Sequence, residues 1–349
     1  MHPYSIAYPA APGQEEVDRV ICASRASERA NVYSTMETIR ECALRHNPPV
    51  GIHTALLYQS GWYLHWAEGP RDPVGQLFGR VAKDGRHFAR HVVHASTGRR
   101  LLMTPFSMML SPALETANAF GERVMALREQ LRAGTQIAPT AVIRRLMMPL
   151  LLPEAQQLHN PESYHRVIVC SAAGQSAFEL TRWLSEDKSV PKASRRLAGH
   201  ADLDSASEYV EFMRGEQICR VIAIARSSLT QGLHRSLAPD WHFLVLLFSG
   251  DAKRNEALLD RIQQTFEGLP RTPILLAVAP NATTKAHVVK ASLARGLACE
   301  TIAELEEHDS EAIWQAVDAH VDACGPPVHS TWPVFDPSPA ARNAQQSQY

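Results

Sequence analysis

The 349-residue chain lacks the marks of several protein classes. It has no run of about 18 apolar residues, so no membrane-spanning helix is expected. Its opening, MHPYSIAYPAAPGQEE, has no basic cluster followed by an apolar core, so no secretory signal is expected. The six cysteines (Cys22, Cys42, Cys170, Cys219, Cys299 and Cys324) are scattered and form no C-x-x-C pair. That argues against a zinc site and against a secreted disulfide framework. A surplus of one charge is missing too: 35 Lys+Arg face 36 Asp+Glu, for a net charge of −1. This global balance gives no reason to expect nucleic acid or an anionic membrane as partner. His87, His91 and His94 make no metal constellation. A reduced cytoplasm is the expected location.

What is present is ordinary globular material, 45% hydrophobic and 20% charged, in a length suited to two domains. Residues 1–16, rich in Pro and Ala, read as a flexible arm, and 326–349, which end in the polar DPSPAARNAQQSQY, as a disordered tail. Over 17–110 the pattern predicts β-α-β-β-α-β-β, a ferredoxin-like order. Its elements are a strand at Val17–Ala23, a helix at Val32–His46 and two strands within Gly51–Pro70 turning at Ser60-Gly61. A helix follows that is capped by Asp72 and opened by Pro73, then short strands at His91–Ala95 and Leu101–Met103. Asn47-Pro48-Pro49 must end the first helix, since proline lacks the N–H and clashes with the preceding turn. Residues 111–160 read as a helical connector, with Ser111 as a cap and an apolar cluster around Met147 and Met148.

From 161 to 325 strands alternate with helical stretches, the signature of a doubly wound, mostly parallel α/β sheet. Expected strands are His165–Cys170, the pair Tyr209–Met213 and Ile218–Ala225, Trp241–Ser249, Thr272–Ala279 and Leu297–Ile302. The near-continuous apolar run WHFLVLLFS implies a strand covered on both faces. Helices are expected at Ser176–Leu184, Asp251–Phe266, Thr284–Arg295 and Ser310–Cys324.

The segments Gly51-Ile52, Leu56-Leu57-Tyr58, Glu68-Gly69-Pro70, Asp84-Gly85-Arg86-His87 and Phe106-Ser107-Met108, in this order and spacing, resemble the BLUF family of flavin-binding blue-light sensors. The resemblance implies a flavin between the two helices of the ferredoxin-like domain, read out by a tyrosine on the first strand and a glutamine on the third. The matching positions here are Cys22 and His65. The family's tandem asparagines correspond to His46 and Asn47, and Met108 falls in its W-S-M segment. A thiol does not replace a phenol as a reversible donor. An imidazole lacks the carboxamide's paired donor and acceptor. The expectation is therefore a pocket (Cys22, His46, Asn47, His65 and Met108) without the family's photocycle and without a cofactor, filled by side chains such as Trp62, Trp66 or Met108. FAD is the alternative.

The α/β block resembles a Ras-like or MglA-like small GTPase in length and in its strand pair after the first helix. It departs from that family at each motif. Gly174-Gln175-Ser176 stands where G-K-S is needed, so the phosphate-neutralising lysine is missing. Arg226-Ser227-Ser228-Leu229 replaces D-x-x-G, and Ala279-Pro280-Asn281-Ala282 replaces N-K-x-D. The combined expectation is a non-enzymatic regulatory or scaffolding protein of bacterial signalling that binds protein partners, with a homodimer as an option.

Overall fold

The Ser60-Gly61 turn shows how the chain sets its first sheet. Both residues have positive φ, 51° and 82°, the geometry of a two-residue hairpin whose twist matches that of its strands. Only glycine takes such a φ without a steric cost, so Gly61 occupies the second position. The structure, a computed structural model, describes residues 16–27, 31–111, 115–135, 137–150, 152, 164–197, 205–269, 271–306 and 308–324. The expected arm before Glu16 and the expected tail lie outside these residues. The chain divides into two units, one holding the described residues between 10 and 149, the other most of those from 150 onward.

In the first unit the order is β1 (Glu16–Ala26), α1 (Val32–His46), β2 (His53–Gln59), β3 (Trp62–Gly69), α2 (Arg71–Val81), β4 (His87–Arg99), β5 (Phe106–Leu110), α3 (Ala117–Arg132) and α4 (Pro139–Met147). The five strands form one sheet in the order β4-β1-β3-β2-β5. It is the ferredoxin-like order expected, with corrected ends. Pro70, not Asp72, stands at the helix start, and Asp72 lies in the first turn of α2. Leu101–Met103 is not a strand, because Leu101 and Leu102 give their N–H groups to the Glu68 side chain instead of a ladder. The last strand is β5. Thr116, not Ser111, caps α3 by accepting from the Ala119 N–H. The helices expected as a connector pack on β4 of this unit.

One sheet face carries both α1 and α2, but in separate clusters. Val32 and Met36 of α1 pack with Ala26, Leu56 and Tyr63. Val74 and Leu77 of α2 pack with Ile52 and Ala67. The opposite face lies under α3: the Trp62 ring stacks on Phe120 at 6.0 Å, and its Nε1–H donates to the Ala117 carbonyl at 2.8 Å.

The second unit holds β6 (Tyr164–Ser171), α5 (Ser176–Asp187), β7 (Lys192–Leu197), β8 (Ser205–Arg214), β9 (Gln217–Ile224), α6 (Arg226–Leu229), α7 (Gly232–Leu237), β10 (Phe243–Leu247), α8 (Ala252–Phe266), β11 (Ile274–Ala279), α9 (Ala282–Ala294), β12 (Cys299–Glu304) and α10 (Ser310–Cys324). The sheet order is β12-β11-β10-β6-β9-β8-β7. Strands β12, β11, β10, β6 and β9 run parallel, and β8 is antiparallel to β9. All five residues of β10 are buried, as its apolar run requires in a sheet covered on both sides. One face packs Leu180 and Leu184 of α5 with Trp314 and Val317 of α10. Asp251 and Asn281 cap α8 and α9 with their side-chain oxygens, which places these helix starts at Ala252 and Ala282. Strand β7 was not anticipated: its sequence, KASRRL, has no apolar alternation.

Candidate functional site

The sheet register brings four residues into one row. Cys22 on β1 is the partner of His65 on β3, His65 is the partner of Leu56 on β2, and Leu56 is the partner of Met108 on β5. Directly opposed residues of neighbouring strands point to the same face. That face is the one carrying α1 and α2, since Leu56 and Met108 belong to the α1 cluster. The row thus passes from the α1 cluster, through Leu56 and Met108, toward the α2 cluster, whose Phe78 meets the His65 ring. Cys22 is buried at 6% exposure, while His65 and Met108 are partly exposed.

The two polar members of the row are electrically quiet. Burial pushes the Cys22 thiol up to about 12, against a smaller opposing influence from Arg90. It therefore stays an S–H group, 3.8 Å from the Ala23 carbonyl. Burial, with a smaller contribution from the charge of His87, lowers His65 to about 4. At neutral pH His65 is a neutral imidazole with one N–H donor and one acceptor nitrogen. Its ring lies 5.3 Å from the Phe78 ring of α2 and makes no hydrogen bond among the described residues.

Asn47 closes one end of this face. It is 3% exposed, and its Nδ2 reaches the Thr54 Oγ1 at 3.5 Å. The Asn47 carbonyl accepts from the Ile52 N–H at 3.0 Å, which fixes the entry into β2. His46, one residue earlier, is exposed in the last turn of α1 and is not brought to the row. Trp62 and Trp66 do not fill the space between α1 and α2. Strand alternation turns them to the face beneath α3, opposite to His65.

Sequence reasoning missed the support behind the row. The Glu68 carboxylate is fully buried and accepts from Trp66 Nε1 at 3.1 Å, from the Leu101 N–H at 2.6 Å and from the Leu102 N–H at 2.9 Å. Burial raises its pKa, opposed by these amides and by the charges of Arg19 and Arg100. The strand that holds His65 is thereby tied to the segment leading into β5, which holds Met108. The signal available in sequence was a Glu at a strand end, which spacing alone does not distinguish from a surface carboxylate.

In the second unit the loop between β6 and α5, residues 172–175, stands at the carboxyl end of the parallel strands. Arg226, just past β9, donates from Nη1 to the Ser171 carbonyl at 3.1 Å. Asn281, in the segment compared with N-K-x-D, spends its side chain on the α9 cap, accepting from the Thr284 N–H at 2.9 Å. Among the described residues no group of three or more His, Cys, Asp or Glu side chains is placed to hold a metal ion. No helix among them is long and apolar enough to cross a membrane.

Comparison with known proteins bears on the first unit. Residues 17–108 match the family model BLUF, sensors of blue-light using FAD. A BLUF domain therefore occupies this stretch, about a quarter of the chain. Similar solved structures include the dark state of BlrB, a BLUF protein, at 19% identity over 39% of this chain and 97% of that one, with a TM-score of 0.27. A bacterial light-regulated adenylyl cyclase is 11% identical over 64% and 84%, with a TM-score of 0.26. BlrP1 of Klebsiella pneumoniae, in a complex with manganese and cy-diGMP, is 14% identical over 88% and 72%, also at 0.26. No curated protein matches the chain.

Proposed function

We propose that the protein is a non-catalytic regulatory or scaffolding protein of bacterial signalling, acting through contacts with other proteins and without light-driven chemistry. The observation that carries this reading is the Cys22–His65 pair on the helix-bearing sheet face of a BLUF domain. A thiol that stays protonated up to about pH 12 and a neutral imidazole do not make the phenol–carboxamide couple whose electron and proton transfer the resemblance implies. The second unit is read in the same sense, as a GTPase-like module without hydrolysis. Its strand order around β6, with β8 antiparallel to β9, supports the GTPase-like part. The missing lysine at Gln175 and the absence of an aspartate in Arg226–Leu229 support the loss of hydrolysis. The test is to measure phosphate release from GTP with Mg²⁺, and to recover the proteins bound to the full chain in darkness and under blue light. The reading expects no release and the same bound proteins in both conditions. Light-dependent binding would overturn its first part, phosphate release its second.

A second reading, a flavin-holding sensor with an altered pocket, is favoured by the state of His65. His65 and Met108 of the row are partly exposed, and His65 has unused hydrogen-bonding capacity among the described residues. Asn47, His65, Met108 and Cys22 are the residues that would hold the flavin. FAD, when bound, supplies a ring that absorbs blue light and exchanges electrons. Quenching of FAD fluorescence on titration, weakened in Asn47→Ala and His65→Ala, is what this reading expects. Equal quenching in all three proteins would remove it.

A further inference from the structure

The near-zero net charge hides a division. Residues 17–149 hold 17 of the 35 cationic side chains, all but Lys83 arginine, and only ten of the 36 acidic ones. This stretch carries +7 and the remainder of the chain −8. Arginine presents a planar fork suited to oxyanions, which a point-like ammonium does not. Part of this charge gathers where α3 packs on the edge strand β4. Arg25 of β1 is the partner of Phe88 on β4, and its guanidinium carbon lies 6.0 Å from that ring. Phe88 is 49% exposed. On α3, Met125, Arg128 and Arg132 follow at i, i+3 and i+7, the spacing of one helix face. Met125 is 38% exposed and Arg132 is exposed. Arg128 makes no hydrogen bond or ion pair among the described residues. Both α3 arginines lie beside β4: His91 of that strand has its pKa lowered first by burial and then by the charges of Arg128 and Arg132. Among the described residues one ion pair competes, Arg132 with Glu129 at 3.2 Å; it is solvent-exposed and is worth little.

We propose that Arg25, Phe88, Met125, Arg128 and Arg132 form a docking surface for an acidic segment of a partner protein that carries apolar side chains among its carboxylates. The surface rests on the partner-binding reading above and names the chemistry of that partner. Carboxylates meet the three guanidinium groups. Apolar side chains cover Phe88 and Met125, which otherwise stand in water. A nucleic-acid strand matches less well, because sequence-tolerant strand binding relies on several stacking aromatics and Phe88 is the exposed aromatic of this patch.

The test uses the full-length protein and two dye-labelled probes, a synthetic peptide of glutamates interspersed with leucines and a thymidine oligonucleotide. Binding is read by fluorescence anisotropy at low and at moderate salt. The proposal expects peptide binding that weakens as salt rises, falls about tenfold or more in Arg128→Glu/Arg132→Glu, and falls several-fold in Phe88→Ala. All five side chains lie on the surface or half-buried, and matching circular dichroism of the variants verifies that they fold. Oligonucleotide binding tighter than peptide binding would overturn the partner class. Peptide binding unaffected by the charge reversals, or no binding of either probe, would overturn the surface. Peptide binding as expected alongside a light-dependent set of bound proteins would sink the light-independent reading and leave the surface standing.

Discussion

Cys22 and His65 stand opposite each other in the β1–β3 ladder, at the two positions through which the resemblance to blue-light sensors implies photochemistry. On the proposed reading without photochemistry, these two side chains of the sheet carry the departure. The double variant Cys22→Tyr/His65→Gln should bind FAD and give a red-shifted flavin spectrum under blue light. Absorption spectroscopy of the variant loaded with FAD checks this. A variant that folds and binds flavin but shows no shift would mean that the loss extends beyond these two positions.

Glu68 satisfies three buried donors at once, Trp66 Nε1–H and the Leu101 and Leu102 amides. Each buried donor left without a partner costs about 1–3 kcal/mol. Glu68→Ala should destabilise the first unit by on the order of 3 kcal/mol or more, and Glu68→Gln by less, since a carboxamide oxygen still accepts. Urea denaturation of both variants reads the difference. A loss below about 1 kcal/mol for the alanine would show that the β3-to-β5 tie is not a strong one.

Gln59 presents the opposite case. Its side chain is fully buried, and neither its Oε1 nor its Nε2 has a hydrogen-bond partner among the described residues. Replacing an unsatisfied polar group by an apolar one of similar volume removes a desolvation cost. Gln59→Leu or Gln59→Met should raise the denaturation midpoint, by about 1–2 kcal/mol in free energy. A destabilised variant would reveal that the carboxamide has a role in the native state.

His94 gives the first unit an acid-sensitive term. It is 5% exposed, and burial, followed by the charge of Arg19, lowers its pKa from an ordinary 6.5 to about 3. Between those values the unfolded chain binds a proton that the folded protein does not, so stability is present above pH 6.5 and falls as the pH drops. At pH 5 the loss is about 2 kcal/mol for this one group. Denaturation midpoints at pH 7.5 and 5.0, compared with those of His94→Gln, should show a shallower pH dependence in the variant. Identical dependence would assign the acid sensitivity to other groups.

The architecture could be read from the chain wherever apolar periodicity was strong, as in α1, β10 and α8. It could not be read where polar chemistry decides. Leu101-Leu102 reads as a strand in sequence, but the buried Glu68 claims its amides. Trp62 and Trp66 belong beneath α3 and not between α1 and α2, a distinction of one residue in register that composition does not carry. The expected pocket residues Cys22, His65 and Met108 share a row because their strands pair in a fixed register, and Asn47 lies at the edge of that face. His46 does not join them, because the last turn of α1 turns it to solvent. The charge division between the two parts of the chain was in the sequence throughout. It is invisible in a whole-chain sum, and its concentration beside β4 depends on α3 folding back onto that strand.

The central claim is that this BLUF domain works without the family's photocycle. The most direct test is the absorption spectrum of freshly purified full-length protein, with and without added FAD, before and after blue illumination. The account predicts a spectrum unchanged by light, whether or not flavin is bound. A reversible red shift of a flavin band would contradict it and return photoreception to a pocket built on Cys22 and His65.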